Sequence, residues 1–487
     1  MGLTIEQARA LTDRLLAELE RRRPEVELAS HYYRGDHPLR YASSEFREYF
    51  GRRYEKFSDN WVGVVADAPV ERLTVNGVQP YGAQKADAES WRVWMENGCD
   101  ADSQLAFLSS ITGARAFGLV WATPGDEENP VVTFESADQA IVAYRAGSRR
   151  ERVAGLKSWN DGSVSYATLY TADEVWKFER PTYSGLREAN MVGIEDAIRT
   201  WVLREVDEPN PQPNPMGVVP LVELPNKPSL NDDPISDVSG TIAMQDSINF
   251  IWALLFNAAD FASFTQRIVL GAERPTTPIL DENGQVIGER PVPLEKFAVD
   301  RVLWVSDPNA KIEHWPATDL SAYTNVLEVQ VGHVAAQTRT PSHYLIGKIS
   351  NLSADALVAA ETGLVKRCEE KQLWFGAGLR EMFRLIALAQ GDEAKAKAIA
   401  AGTVLWANVE SRSEAQLADA LLKLRQIGFP FQYLAARFGL NPTEIADVMA
   451  MKQAEAEIDP LSAAMLGKPD PAPPDGQPIP PDGVPQQ

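Results

Sequence analysis

"DDPISDVSGTIAMQDSINFIWALLFNAADFASF", residues 232–264, is the segment whose reading settles the architecture. Ile242, Ile248, Ile251, Trp252, Leu255, Ala259 and Ala262 recur at helical spacing and make a wide apolar stripe. A helix with so broad a stripe is buried on more than one side, against its own domain or against copies of itself. A bilayer span needs about 20 apolar residues, whereas the run at 247–259 is shorter and carries Asn249 and Asn257, so a membrane partner is not expected. Asp232, Asp233 and Asp237 precede the stripe. The pattern predicts a helix of roughly 30 residues whose first turn these acids cap and whose dipole they complement.

The flanking sequence changes character on both sides. Upstream, "EPNPQPNPMGVVPLVELPNKPS" (208–229) is too rich in proline for a continuous helix or a central strand, and favours extended segments. Residues 115–206 alternate apolar and polar side chains with β-branched and aromatic enrichment, and Asp161-Gly162 marks a hairpin turn, so a mostly antiparallel sheet is predicted. Residues 1–110 read mainly as helices, the first opening with a Thr4/Gln7 capping box and lining Leu11, Leu15 and Leu19 on one face.

Downstream, residues 266–318 return to strand and turn, with a hairpin at Asn283-Gly284 and a buried strand in "RVLWVSD" (301–307). A second helix follows, with Tyr323, Leu327, Val331 and Val334 on one face. "TPSHYLIGKISNLSADAL" (340–357) reads as a loop at Pro341 and Gly347, and Ser353 is placed to cap a long helix from about 354 to 390. Leu357, Leu364, Cys368, Phe375, Leu379, Met382 and Ile386 form its stripe, while Gly363, Gly376 and Gly378 predict a bend or close packing. Residues 411–458 are helical, with Gly428 and Gly439 as stops, and the Pro-rich tail is expected to be disordered. The fold class is therefore α+β and multidomain.

Several segments mimic chemical motifs. Gly347-Lys348 lacks the earlier glycine of a phosphate loop, because Ser342 stands there, and Ile349 replaces the following Ser/Thr. Ser342 and His343 are sequence neighbours without a third orienting group. The histidines (31, 37, 314, 333 and 343) have no metal-ligand spacing, and Cys99 and Cys368 are too isolated for a disulfide framework or a zinc site. No catalytic residue, metal or cofactor is expected, and the cysteine usage suits a reducing cytoplasm. "QYLAARFGLNPTEIADVMAMK" (432–452) imitates a helix-turn-helix, but Glu444 and Asp447 would be repelled by DNA. The net charge of −21 likewise opposes tight duplex binding, because counterion release needs basic groups.

The order of elements, with "SDNWVGVVADAPVERLTVNG" (58–77), "VVPLVELPNKP" ahead of "AMQDSINFIWALLFNAADFASFTQRIVLG", "TPSHYLIGKISNLSADALVAAETGLVKRCEEKQLWFG" and "LWANVESRSEAQLADALLKLRQIGFPFQYLAARFGLNPTEI", resembles the portal (head–tail connector) proteins of tailed bacteriophages. The likeness is to the large family of long-tailed phages of Gram-positive hosts, and it runs over most of the chain. It implies a ring of twelve copies around a DNA channel at one capsid vertex of the virion, assembled in the host cytoplasm. The implied divisions are a wing (1–230), a two-helix stem (231–265 and 319–338), a β-hairpin clip (266–318), a tunnel loop (339–352), a long wing helix (353–399), a helical crown (400–458) and a tail (459–487).

The resemblance implies contacts for these parts. Asp281, Glu282, Asn283, Gln285, Glu289 and Arg290 of the clip would dock the terminase large subunit and then a head-completion (adaptor) protein. His343, Lys348, Ser350 and Asn351 of the tunnel loop would meet double-stranded DNA in passing, without tight binding. Ile248, Ile251, Trp252, Leu255, Tyr323 and Leu327 of the stem would contact neighbouring subunits, with major capsid and scaffolding proteins as further partners. The rival readings are a metal-dependent enzyme, a DNA-binding regulator and another minor capsid protein.

Overall fold

Helix α1 (Ile5–Arg34) opens on the reciprocal cap its sequence announces: Gln7 N donates to Thr4 Oγ1 (3.3 Å) and Thr4 N donates to Gln7 Oε1 (2.9 Å). The computed structural model describes residues 2–38, 57–83, 85–123, 125–182, 200–263, 267–271, 276–280, 284–291, 302–305, 319–346, 354–410, 414–440 and 442–458, and the isolated positions 44, 48, 307 and 309. Helix α2 (Trp61–Val70), strand β1 (Val75–Gln79) and helices α3 (Ala88–Glu96) and α4 (Cys99–Gly113) complete the N-terminal part.

Strands β2 (Arg115–Thr123), β3 (Asp126–Ser136), β4 (Ala140–Tyr144), β5 (Arg152–Asn160), β6 (Val164–Tyr170), β7 (Glu174–Pro181), β8 (Val202–Leu203), β9 (Gln212–Pro213) and β10 (Leu221–Pro225) make two antiparallel sheets. One runs β4-β5-β6-β7-β8, with β9 on β7; the other runs β10-β2-β3. Asp161 sits at the β5–β6 turn as predicted, its Oδ1 accepting from Val164 N at 2.7 Å, with Gly162 at φ +97°. The proline-rich connector yields the edge strand β10, with Pro225 as its last residue, where a missing N–H costs least. Leu15, Leu16 and Leu19 of α1 cover the larger sheet against Leu156, Leu169, Trp176, Phe178 and Trp201.

Helix α5 spans Ile242–Ser263, preceded by a single 3₁₀ turn at Ser239–Thr241. It is shorter than predicted, because the acidic lead-in is not helical. Ile235 N donates to Asn226 O (3.1 Å) and Asp237 N to Ile111 O (3.0 Å), so this backbone bonds to distant segments instead of to itself. Capping by these acids is corrected accordingly: Asp233 pairs with Arg115 at 2.9 Å, and Asp237 is buried elsewhere.

Strands β11 (Arg267–Leu270), β12 (Thr276–Leu280), β13 (Val286–Pro291) and β14 (Val302–Val305) follow. β12 and β13 form the predicted antiparallel hairpin with Gly284 at φ +80°, and β11 pairs in parallel with β14. Helix α6 (Ser321–Thr338) returns beside α5. A short helix, α7 (Ser342–Ile346), occupies part of what reads as loop, its first turn closed by Tyr344 N donating to Pro341 O at 3.0 Å.

The long helix α8 (Ala354–Ala389) lies across the β10-β2-β3 sheet, and Leu364, Cys368, Phe375, Leu379, Met382 and Ile386 of its predicted stripe are buried. Of its glycines Gly378 marks close packing: a Cβ there would stand 2.5 Å from Leu224 Cδ2 and 2.9 Å from Glu223 O. After α9 (Glu393–Ala400), β15 (Thr403–Trp406) pairs antiparallel with β1, so the range 400–458 that the resemblance implied to be a helical crown includes a strand ahead of the helices read over 411–458. Gly77 and Leu405 are partners in that ladder, a pairing between chain segments that local sequence does not signal. Helices α10 (Glu414–Gln426), α11 (Phe431–Phe438) and α12 (Pro442–Ile458) close the described chain, with Gly428 and Gly439 at positive φ between them. The expected tail disorder and the Ser353 cap concern positions outside the described residues. No helix among the described residues is long and apolar enough to cross a membrane.

Candidate functional site

Helices α5 and α6 form an antiparallel hairpin. Gln330 Nε2 donates to Ser247 Oγ (2.7 Å) and Gln337 Nε2 to Gly240 O (3.4 Å), which fixes their register. Between them Ile248, Leu255, Leu327, Val331 and Val334 are buried, together with Val65 of α2 and Leu345 of α7. The opposite side of α5 is also covered, but by polar contacts. Tyr32 Oη donates to Asp246 Oδ1 (2.5 Å), Gln245 Nε2 to Asp59 O (2.6 Å), and Asn249 Nδ2 lies 3.0 Å from His37 Nδ1. The helix is thus buried on two sides, as its stripe predicted, yet the second side is held by hydrogen bonds.

At the root of this hairpin three cations converge on the buried Asp237. Its Oδ2 lies 2.5 Å from Arg367 Nη2 and 2.7 Å from Lys371 Nζ, and its Oδ1 lies 2.7 Å from Lys227 Nζ. Asn226 bridges the group, donating from Nδ2 to Asp237 Oδ1 (3.0 Å) and accepting at Oδ1 from Lys371 Nζ (2.6 Å). The Arg367 guanidinium also donates to Thr338 O (3.1 Å), Thr340 Oγ1 (3.3 Å) and Val65 O (2.9 Å). One side chain on α8 therefore ties together α2, the end of α6, the segment leading into α5, and its own helix.

Local sequence positions each partner. Pro225 and Pro228 end β10, and Asn226 N donates to Ala114 O at 2.9 Å. Ser236 Oγ donates to Thr112 O at 2.5 Å, which fixes the residue before Asp237. Burial alone would raise the Asp237 carboxyl, but Arg367, Lys371 and Lys227 outweigh it and hold the group well below the usual carboxylate range. Burial pulls Lys371 down to about 8 in spite of Asp237. Lys371 is wholly enclosed, so its ammonium cannot reach a substrate. The cluster is a fixed electrostatic junction without a nucleophile–base pair.

The sequence-derived sites fall in three groups. Ile248, Leu255 and Leu327 are buried in the chain's own hairpin core, whereas Ile251, Trp252 and Tyr323 are partly covered; Trp252 Nε1 donates to Asp59 Oδ2 at 2.8 Å. On the β12–β13 hairpin Gln285, Glu289 and Arg290 are exposed, and Glu289 accepts from Thr276 Oγ1 at 2.8 Å. Asp281, Glu282 and Asn283 lie outside the described residues, as do Lys348, Ser350 and Asn351. His343 does not project from a loop tip: its side chain is 9% exposed, with Nε2 3.8 Å from Glu361 Oε1.

Sequence reasoning missed Arg367, Lys371, Lys227 and Asn226, and read Asp237 only as a cap. A signal was present. Lys371 stands seven residues after Leu364 and four before Phe375, inside the apolar stripe, and a cation there requires a buried counter-charge.

Comparison with known proteins identifies the family. The family described as "Phage portal protein, SPP1 Gp6-like" matches residues 12–457. The chain is 28% identical over 376 residues to the portal protein of Mycobacterium phage L5, and 27% identical over 374 residues to that of Mycobacterium phage D29. Each alignment covers 74% of this chain and 70% of the relative.

Proposed function

This chain belongs to the SPP1 Gp6-like family of phage portal proteins, and from that membership we propose that it assembles into a twelve-subunit ring at one capsid vertex and conducts the genome during packaging and ejection. The family match over residues 12–457 carries the reading. In this reading α5 and α6 are the stem, and the β12–β13 hairpin between them belongs to the clip that docks the terminase motor and later a head-completion protein. The segment after α6 turns toward the channel, and α10–α12 form the crown. The protein acts as a structural conduit, and the ATPase is the partner motor.

Two physical features support this assignment. The hairpin root is locked by charge and hydrogen bonds at several chain segments, as a load-carrying stem requires. Val326 and Val329 on the outer face of α6 are 45% and 58% exposed, an apolar pair suited to a neighbouring copy. Native mass spectrometry of the full chain, with negative-stain images of the same sample, tests the assembly. Rings of about twelve subunits with a central hole are expected for a closed cyclic oligomer. A uniform monomer or dimer that binds duplex DNA tightly overturns the reading.

A further inference from the structure

A cleft of about 250 Å³ opens beside the Asp237 junction, room for several waters at about 30 Å³ each. Its charge is unbalanced. Lys227, Arg339 and Arg367 line it with Lys371 behind them, and among the described residues that line it the acids are Asp237 and Glu370. Arg367 and Lys371 are buried, so solvent screens their charge poorly. The other two cations are only partly engaged. Lys227 pairs with Asp237 while remaining 41% exposed, and Arg339 gives one Nη1 hydrogen bond to Glu370 (3.1 Å) while remaining 55% exposed.

The backbone provides a second observation. Lys227 has φ +44° and Arg339 φ +54°, the left-handed region where glycine or asparagine would be easier to accommodate. Arg339 takes this conformation as the C-cap of α6, its N–H turned back to Ala335 O and Ala336 O, and at both positions a long basic side chain is carried to the cleft where a glycine or asparagine would suit the backbone better. The guanidinium fork can hold Glu370 with one edge and offer its remaining N–H groups to a second oxyanion.

We propose that this cleft binds a small oxyanion of the phosphate class, held directly by Lys227 and Arg339 and drawn in by the buried charges of Arg367 and Lys371. The anion comes either from free phosphate or from a nucleic-acid backbone. The site does not depend on ring assembly, which the native mass of the same samples reads separately.

Thermal denaturation of the full chain in inorganic phosphate, against chloride at matched ionic strength, tests it. A saturable rise in Tm specific to phosphate is expected. Lys227→Asn, which suits the left-handed backbone but removes the ammonium, and Arg339→Gln should each weaken the apparent affinity about tenfold or more. Lys366→Gln, on α8 but away from the cleft, should leave it unchanged. Absence of a phosphate-specific shift in the wild type, or an undiminished response in Lys227→Asn, overturns the proposal. With the site established, competition by a short duplex oligonucleotide assigns it to backbone phosphate, and lack of competition assigns it to the free ion.

Discussion

At the scale of single residues, Asp237 and Lys371 carry opposite risks for stability. Removing Asp237 leaves buried cations without their counter-charge, so Asp237→Ala should cost about 3–5 kcal/mol. Lys371→Met replaces one of three cations by an apolar group of similar length, and should cost far less. The two proteins have different pH dependences as well. The folded-state pKa of Lys371 lies near 8, below its ordinary 10.5, so between these values the unfolded chain binds a proton that the folded chain has released. Wild-type stability should therefore gain a rising component from pH 8 to 10.5, and Lys371→Met should lack it. Asp237 gives the complementary acid limb, because its depressed folded pKa adds stability above the unfolded carboxylate value that is lost as pH falls through the folded value. Thermal denaturation across pH measures both limbs, and equal alkaline slopes in wild type and Lys371→Met would dismiss this account.

At the scale of elements, the glycines of α8 separate propensity from packing. Gly378→Ala gains helix propensity of about 1 kcal/mol, yet its methyl group would stand 2.5 Å from Leu224 Cδ2 and 2.9 Å from the Glu223 carbonyl. The backbone contact cannot yield, so overpacking should prevail and the variant lose about 1–3 kcal/mol. Gly376→Ala meets Trp406 Nε1 at 3.4 Å, a contact small shifts relieve, and should be neutral or slightly stabilising. Denaturant midpoints of the two variants decide the matter. The glycines in the stripe signalled a bend or close packing, and at Gly378 the structure has close packing. The start of α5 was not legible in the sequence. Acids ahead of an apolar stripe suit a helix N-terminus, which extended the expected helix through the lead-in, but Asp237 N is claimed by Ile111 O, a partner more than a hundred residues away. Strand β15 was hidden for the same reason, because its partner β1 lies at the other end of the chain.

At the scale of the whole molecule, the α5–α6 hairpin, proposed above as the stem, has one face packed on its own chain and another exposed. Ile248 and Leu327 are inside the α5–α6 hairpin, so an acid there should unfold it, whereas the exposed Val326 and Val329 can be changed without touching that core. Val326→Asp/Val329→Asp should keep the circular-dichroism spectrum and Tm of the protomer while reducing the fraction of rings in native mass spectra. Unchanged ring formation would show that this face of α6 is not a subunit contact. The amino-acid sequence by itself determined the α+β class, the antiparallel sheets, the paired helices with a hairpin between them, the stripe of α8 and the family. These follow from periodicities of two and 3.6, from turn residues and from the order of elements, all of which are local or sequential. Only the tertiary structure decided where the acids before α5 go, that β1 and β15 pair, and that Asn226, Lys227, Asp237, Arg367 and Lys371 meet. Each of those groups satisfies its charge or hydrogen bonds through distant segments, and a buried charge finds its partner only after the chain has folded around it.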